Sequence, residues 1–136
     1  MEKIFVDSNV FLRFLMKDDP VQSGKAKILF KRAENKKIGL ITGPPVLFEI
    51  AWTLKSFYKV DRDTILKYLA SIIAADFIEM TDKNLAAEAV TAASSSGEDF
   101  ADAYICVSAK KLGAKGVATF NRKHFDRLDC TVIEPQ

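Results

Sequence analysis

The sequence has few of the residues that several familiar mechanisms require. Its 136 residues include one histidine, two cysteines and one tryptophan. The single histidine, His124, excludes any mechanism that needs two histidines as general acid and general base. Two cysteines, Cys106 and Cys130, are too few for a cysteine-based zinc site or a disulfide framework. Because Cys106 lies in an apolar helical stretch, we expect both thiols to be reduced and the protein to be intracellular.

Long apolar runs and a strong excess of one charge are also missing. No stretch approaches the roughly 20 apolar residues that a membrane-spanning helix requires. The first residues carry acids at Glu2 and Asp7 without a long apolar run, so we expect no signal peptide and no membrane partner. The net charge of +2 argues against a protein that wraps nucleic acid by charge alone. We expect a cytoplasmic protein.

What the sequence does contain is enough apolar material for one ordinary domain over residues 1–136. Apolar residues make up 49% of the chain and charged residues 28%. Short apolar runs typical of strands alternate with amphipathic helical segments. This alternation predicts an α/β protein with a mainly parallel sheet covered by helices. The predicted strands are residues 3–6, 39–42, 77–80, 116–120 and 130–133.

Ligands of such sheets bind at the carboxyl ends of the strands. Two polar residues fall there: Asp7 after the first predicted strand, and Asn121 after the fourth. Taken alone, Asp7 is better explained as the N-cap of the helix that follows, because aspartate is a common cap.

Glu49 is harder to explain structurally, because it is the only charge between residues 44 and 54. No cation lies three or four residues away to pair with it. A buried carboxylate there would lose its hydration without a partner. The alternatives are that Glu49 lies on a narrow exposed stripe, or meets an arginine from elsewhere in the fold.

Asp99 and Asp102 lie three residues apart at the start of the last predicted helix, residues 99–112, and so share one face. The helix dipole offsets part of their repulsion. Asp99 is a natural N-cap, in an arrangement similar to a capping box. Asp102 is less easily explained, since it stands between Ala101 and Ala103 in an apolar run.

If Asp7, Glu49 and Asp102 converge, they form an anionic pocket that a divalent cation would stabilise. Oxygen ligands favour Mg²⁺ or Mn²⁺ over zinc. Such an ion can activate water and neutralise charge on phosphate oxygens, which suits phosphodiester chemistry.

Four segments of the chain match a known family in order: residues 4–12, 46–54, 99–105 and 116–121. The sequence resembles PIN domains, in particular the VapC-type toxin ribonucleases of type II toxin–antitoxin pairs. The resemblance implies a three-layer α/β/α sandwich and a Mg²⁺- or Mn²⁺-dependent endoribonuclease that leaves 5′-phosphate and 3′-hydroxyl ends.

The resemblance also implies roles for single residues. Asp7, Glu49 and Asp102 would be the core acids of the metal site. Asp99 matches an acid that is often present one turn earlier, as a direct or water-mediated ligand.

Three polar residues would support those acids. Asn9 resembles the residue that orients the first acid, and Thr119 the hydroxyl residue beside the metal. Asn121 departs from the family, which usually has aspartate there. An amide adds no charge, so this difference could weaken a second metal site or lower activity.

Cations near the site would steer the RNA backbone, and removing the site acids from the charge balance leaves the remainder of the chain modestly basic. The candidates are Arg13, Lys17, Arg122 and Lys123, with His124 as a further candidate contact, although any single one is better explained as a solvated surface charge. We expect His124 to lie on the surface or to pack in a loop rather than to be catalytic.

The resemblance further implies a homodimer and a small cognate antitoxin. Helices carrying Phe48, Trp52 and Phe57, or Leu29 and Phe30, offer apolar surface for such partners. We expect most of these side chains to belong to the core instead.

Two other functions remain open from the sequence. A haloacid-dehalogenase-like phosphatase also places an acid after the first strand, but it needs a second acid at the position of Asn9. A non-enzymatic module that keeps the fold and binds RNA or protein is favoured by Asn121, whereas the presence of Asp7, Glu49 and Asp102 argues against it.

Overall fold

The computed structural model describes all 136 residues, which form six α-helices and five short strands with connecting loops. The strands are β1 (Lys3–Phe5), β2 (Gly39–Thr42), β3 (Ile78–Met80), β4 (Val117–Ala118) and β5 (Val132–Ile133). The helices are α1 (Ser8–Met16), α2 (Pro20–Glu34), α3 (Pro44–Ser56), α4 (Arg62–Ala74), α5 (Lys83–Ser96) and α6 (Phe100–Lys111). A 3₁₀ turn spans Arg122–His124.

Every strand pairing is parallel. β2 lies between β1 and β3, so that Leu40 is paired with Ile4 on one side and Ile78 on the other. β4 and β5 pair separately, with Val117 opposite Val132. The sheet is therefore in two parts, of three and two strands.

β4 is shorter than the predicted strand at residues 116–120. Its pairing with β5 ends with the Thr119 N–H, which donates a hydrogen bond to the Ile133 carbonyl at 3.1 Å. Beyond this bond the Thr119 hydroxyl accepts a hydrogen bond from the Asn121 backbone N–H at 2.9 Å, and the chain turns away from the strand.

The helices pack around these strands in a three-layer α/β/α arrangement, which confirms the predicted fold class. One continuous core contains 27 buried apolar residues. α5 supplies small residues to it, and Ala86, Ala89 and Ala93 are fully buried, which lets α6 pack closely against α5.

α3 begins at a Gly-Pro-Pro turn. A Cβ atom on Gly43 would lie 2.6 Å from the Thr81 hydroxyl, so any larger residue here would force the Thr81 side chain to move. Pro44 then occupies the first helical turn, where its missing N–H has no partner to lose. Val46, Ile50 and Leu54 form the buried stripe of the helix.

The side chains offered as partner surface divide into two groups. Trp52 of α3 and Phe57, which directly follows this helix, are 68% and 72% exposed. Phe48 is half-buried against Phe100 and Tyr104 of α6, and Leu29 and Phe30 pack in the core. The expectation of core packing therefore holds for Phe48, Leu29 and Phe30 and is wrong for Trp52 and Phe57.

The carboxyl ends of β1 and β2 are tied together just before the helices begin. The Thr42 hydroxyl, which is fully buried, donates a hydrogen bond to the Val6 carbonyl at 3.2 Å. This bond places Asp7 and the start of α3 at the same edge of the sheet.

Helix caps agree with the sequence in part. Asp61 caps α4 by accepting a hydrogen bond from the Thr64 N–H at 3.1 Å. Asp82 stands at the N-cap position of α5, where aspartate is common, but has a left-handed backbone and makes no side-chain cap bond. Gly97 ends α5 at φ +79°, a conformation that favours glycine.

None of the helices has both the length and the apolar character needed to cross a membrane.

Candidate active site

Two of the predicted acids, Asp99 and Asp102, lie together in a polar pocket at the start of α6. The pocket has a volume of about 250 Å³ and no apolar residue in its lining. Its lining comprises Arg62, Gly97, Glu98, Asp99, Asp102, Lys123, His124 and Arg127. We call it the acidic pocket. Three carboxylates and four basic side chains thus meet in one small cavity.

Asp102 is the most electrostatically perturbed acid of the pocket. Its side chain is 20% exposed. Burial raises the pKa of Asp102 above its ordinary value of 3.8, and the nearby carboxylates of Asp99 and Glu98 raise it further. His124 and Lys55 oppose these effects on the same pKa. The arrangement therefore holds a carboxylate whose negative charge is only partly compensated.

His124 lies closer to the site than expected. It is exposed, as predicted for a surface residue, but its Nδ1 lies 3.7 Å from Asp102 Oδ2. The 3₁₀ turn Arg122–His124 brings it there from beyond β4. The expected surface position is therefore confirmed, and His124 also lines the acidic pocket.

Asp99 stands at the N-cap position of α6, as predicted, but makes no capping hydrogen bond. Instead its Oδ2 accepts a hydrogen bond from Lys55 Nζ of α3 at 2.8 Å. The predicted likeness to a capping box is therefore wrong, because the lysine takes the carboxylate away from the helix N–H groups. This ion pair connects α3 to α6 at the rim of the pocket.

Arg127 closes another side of the acidic pocket. Its Nη2 donates hydrogen bonds to Glu98 Oε1 at 2.8 Å and to the Gly97 carbonyl at 3.3 Å. The Glu98 side chain is only 10% exposed, so this pair compensates a largely buried carboxylate.

Asp7 caps α1 directly after β1, as predicted. Its Oδ1 accepts a hydrogen bond from the Ser8 N–H at 2.7 Å, and the rest of the side chain is exposed. Asn9, predicted to orient Asp7, is exposed and makes no side-chain hydrogen bond to it.

Glu49 is exposed on α3, which corrects the expectation of a desolvated carboxylate. It forms no ion pair, so the exposed stripe is the right one of the two alternatives. The reason is geometric: the buried face of α3 is formed by Val46, Ile50 and Leu54, and Glu49 points away from it.

Thr119 and Asn121 lie beyond β4. Thr119 is half-buried, and its hydroxyl accepts the hydrogen bond from the Asn121 N–H described above. The Asn121 side chain is exposed. Neither residue lines the acidic pocket.

The predicted RNA-contacting cations lie in different surroundings. Lys123 lines the acidic pocket, whereas Lys17 and Arg122 are exposed elsewhere. Arg13 is engaged within the fold: its Nη1 donates a hydrogen bond to the Tyr58 hydroxyl at 3.1 Å and lies 3.7 Å from Asp18 Oδ1. Tyr58 in turn donates to Asp18, which lowers the pKa of that carboxyl.

The comparison with known proteins decides the family. The PIN domain family matches residues 4–129. The chain belongs to the PIN-domain family. It is also 27% identical to a VapC ribonuclease from Aquifex aeolicus (strain VF5), over 131 residues that cover 96% of this chain and 95% of that relative. The predicted resemblance is confirmed over nearly the whole chain.

The donor atoms of this PIN domain suit a hard divalent cation. The predicted ligands are all carboxylates. The neighbouring carboxylates of Asp99 and Glu98 repel the negative charge of ionised Asp102 and raise its pKa. A cation beside these side chains would remove that repulsion. The side chains do not yet form a complete set, because no three histidine, cysteine, aspartate or glutamate side chains lie close enough together to hold one metal ion. The four-acid metal site stays a prediction.

Three residues of the acidic pocket were missed by the sequence analysis: Arg62, Glu98 and Arg127. Glu98 directly precedes Asp99, and this run of acids could have identified it. Arg62 and Arg127 carried no such pattern, since α4 and the last loop reach the pocket only through the tertiary fold.

Proposed function

We propose that this PIN-domain protein is a Mg²⁺- or Mn²⁺-dependent endoribonuclease. The observation that carries the proposal is the acidic pocket of a chain in this family, where Asp102 lies beside Asp99 and Glu98 with a raised pKa. The resemblance to a VapC ribonuclease over nearly the full length supports RNA as the substrate.

The proposed roles of the acids are those that the family resemblance implies. Asp7 and Asp102 hold the ion, and Glu49, exposed and free of ion pairs, binds a second ion or orients the attacking water. Asp99 supplies a further oxygen once Lys55 releases it. Bound Mg²⁺ or Mn²⁺ supplies an activated water and neutralises charge on the phosphate. Glu49 would orient the attacking group in line with the leaving oxygen, and the resemblance implies that cleavage would leave 5′-phosphate and 3′-hydroxyl ends.

The pocket also offers groups that hold the RNA backbone. Lys123 lines the pocket without an ion pair within the chain, and the exposed Arg122 precedes it in the 3₁₀ turn. Both can bind phosphates on either side of the scissile bond. Thr119 and Asn121 support this side of the site, and Asn9 orients Asp7 in the metal-bound form.

The test is cleavage of RNA by the purified protein with Mg²⁺ or Mn²⁺. We expect EDTA to abolish cleavage, and Asp7→Asn or Asp102→Asn to lower the rate about 100-fold or more. Asp63→Asn is the matched control, since Asp63 is an exposed acid of α4 outside the pocket. Cleavage that survives Asp7→Asn would rule out the proposed metal site.

A second candidate is a PIN domain that binds RNA or protein without cleaving RNA. Asn121 favours it, because the amide brings no charge to the place where the family usually has aspartate. Tight Mn²⁺ binding with no cleavage of any RNA would support this candidate, and activation by Asn121→Asp would show that the amide limits the reaction. Family membership argues against the phosphatase alternative.

We further propose that residues 1–136 form one nuclease domain that acts in the cytoplasm as the toxin of a toxin–antitoxin pair. In this proposal it is a homodimer and is inhibited by a small cognate antitoxin. A short reading frame directly upstream of the gene, whose product copurifies with the protein and abolishes cleavage, would support this biological role. Growth that is unaffected by expression of an active enzyme would argue for a housekeeping nuclease.

A further inference from the structure

A second cavity adjoins the acidic pocket and differs from it in character. It has a volume of about 370 Å³ and lies between α3, the start of α4 and the start of α6. Its apolar side chains include Phe48, Ala51, Trp52, Val60, Leu66 and Phe100. We call it the Trp52 cleft.

The Trp52 cleft and the acidic pocket share two residues, Asp99 and Arg62. They are therefore neighbouring cavities with a common wall. A ligand that extends along the surface from one to the other passes Arg62, the first residue of α4.

Arg62 is exposed and forms no hydrogen bond or ion pair through its side chain, in contrast to Lys55, which pairs with Asp99 on the other side of the cleft. A guanidinium with five free donors at the junction of two cavities is suited to a phosphate, which it can bind through two parallel hydrogen bonds.

Trp52 provides the matching apolar element. It is 68% exposed although it lines a cleft with eight apolar residues. Trp52 follows Glu49 by one helical turn, so the indole lies beside one of the predicted catalytic acids. An exposed aromatic ring next to a free arginine is the arrangement on which single-stranded nucleic acids stack their bases.

We propose that the Trp52 cleft is a nucleotide subsite for single-stranded RNA, which takes a base adjacent to the scissile phosphate. Trp52 stacks on the base, and Arg62 binds the phosphate between that nucleotide and the acidic pocket. This inference rests on the proposed function. RNA is favoured over a protein partner because Arg62, which has no partner within the chain, lies where the cleft meets the acidic pocket. A phosphate backbone that runs from one cavity to the other must pass this point.

The only tryptophan of the chain makes the subsite directly observable, because intrinsic emission reports on Trp52 alone. We would titrate the full chain in EDTA with short unstructured RNA homopolymers. We expect saturable quenching of Trp52 emission, with affinity that falls as salt is raised.

Two variants test the assignment by anisotropy of labelled RNA, also in EDTA. Trp52→Ala should weaken binding about 10-fold or more, and Trp52→Phe should retain most of it, since stacking on an aromatic ring is kept. Arg62→Ala should weaken binding and reduce the salt dependence by about one phosphate contact. The matched controls are Phe57→Ala and Lys67→Ala, which alter exposed residues outside both cavities, one just after α3 and one in α4.

The outcomes separate this inference from the proposed function. If cleavage requires Asp102, but the Trp52→Ala and Arg62→Ala variants bind and cut RNA as well as the wild type, the subsite is overturned and the nuclease assignment stands. Absence of metal-dependent cleavage by the wild-type chain would instead overturn the nuclease. Trp52 emission that changes with protein concentration and not with RNA would show that a second copy of the chain occupies the cleft.

Discussion

At the scale of single residues, the candidate site contains a carboxylate whose ionised form is destabilised by its surroundings. Asp102 is the clearest case. Burial and the carboxylates of Asp99 and Glu98 raise its pKa, so the ionised form is less stable in the folded protein than in the unfolded chain. A carboxylate held at such a position reduces stability and is a common feature of functional sites.

Replacement of Asp102 by asparagine should therefore stabilise the protein while it abolishes cleavage. The raised pKa means that the ionised carboxylate destabilises the fold at neutral pH, and that this effect disappears as the pH falls through the folded pKa toward 3.8. We expect Asp102→Asn to raise the free energy of unfolding by about 0.5–1 kcal/mol at pH 7. Urea unfolding at several pH values measures the difference, and a variant equally destabilised at all pH values would contradict it.

Cys106, in contrast to Asp102, is an acidic group that stays neutral at physiological pH. Burial raises the pKa of its thiol to about 12, and a hydrogen bond with Cys130 contributes. Because the thiolate is the reactive form, we expect Cys106 to resist iodoacetamide at pH 8 in the folded protein and to react after unfolding. Mass spectrometry of the labelled peptides would show this, and the unfolded chain serves as the control. Rapid labelling of native Cys106 would contradict the burial of this side chain.

At the scale of elements, the sequence predicted more of the fold than of the site. The order of strands and helices, and the parallel sheet, followed from hydrophobic periodicity and from the alternation of apolar runs with amphipathic segments. Periodicity could not show that β4 would end at Ala118, before the local hydrogen bond at Thr119.

The site was harder to predict because its partners come from distant parts of the chain. The acids Asp99 and Asp102 were visible as a spaced pair, but Lys55, Arg62 and Arg127 reach them only across helices. Glu49 was misplaced for a related reason: its neighbours in sequence are apolar, yet its direction from α3 is set by the packing of the helix.

The division of α3 into a buried and an exposed face gives a direct test at this scale. Leu54 is fully buried and Trp52 is 68% exposed on the same helix. We expect Leu54→Ala to lower the free energy of unfolding by about 2–5 kcal/mol through the cavity it leaves. Trp52→Ala should change it by about 0.5 kcal/mol or less. Thermal and urea unfolding measure both, and a comparable loss for the two variants would mean that Trp52 is packed.

At the scale of the whole molecule, the near balance of charges conceals an uneven distribution. The acidic pocket gathers three carboxylates, and Arg62, Lys123, His124 and Arg127 surround them. The net charge of +2 therefore says little about nucleic-acid binding, because the basic groups lie next to the site where a phosphate would bind.

Metal binding should be visible in the stability of the entire chain. A ligand that binds only the folded protein stabilises it by about 2.7 kcal/mol at 100 times its Kd. We expect Mn²⁺ to raise the thermal midpoint, EDTA to reverse the effect, and Asp7→Asn to diminish it. NaCl at equal ionic strength controls for general charge screening. A midpoint that Mn²⁺ leaves unchanged would contradict the proposed site.

The separation of β4 and β5 from the other three strands has a consequence for local opening. Outside the pairing of Val117 with Val132 and of Ala118 with Ile133, few backbone bonds fix this ladder. Regions held by few hydrogen bonds open at lower free energy than the core, so the amides of Val117 and Thr119 should exchange with solvent before those of β2.

The acidic pocket is then built from a firm wall, where α6 packs on α5, and a softer wall that carries Lys123 and His124. In the proposed function, movement of the softer wall alone would accommodate RNA of varied shape, while Asp99 and Asp102 keep their positions.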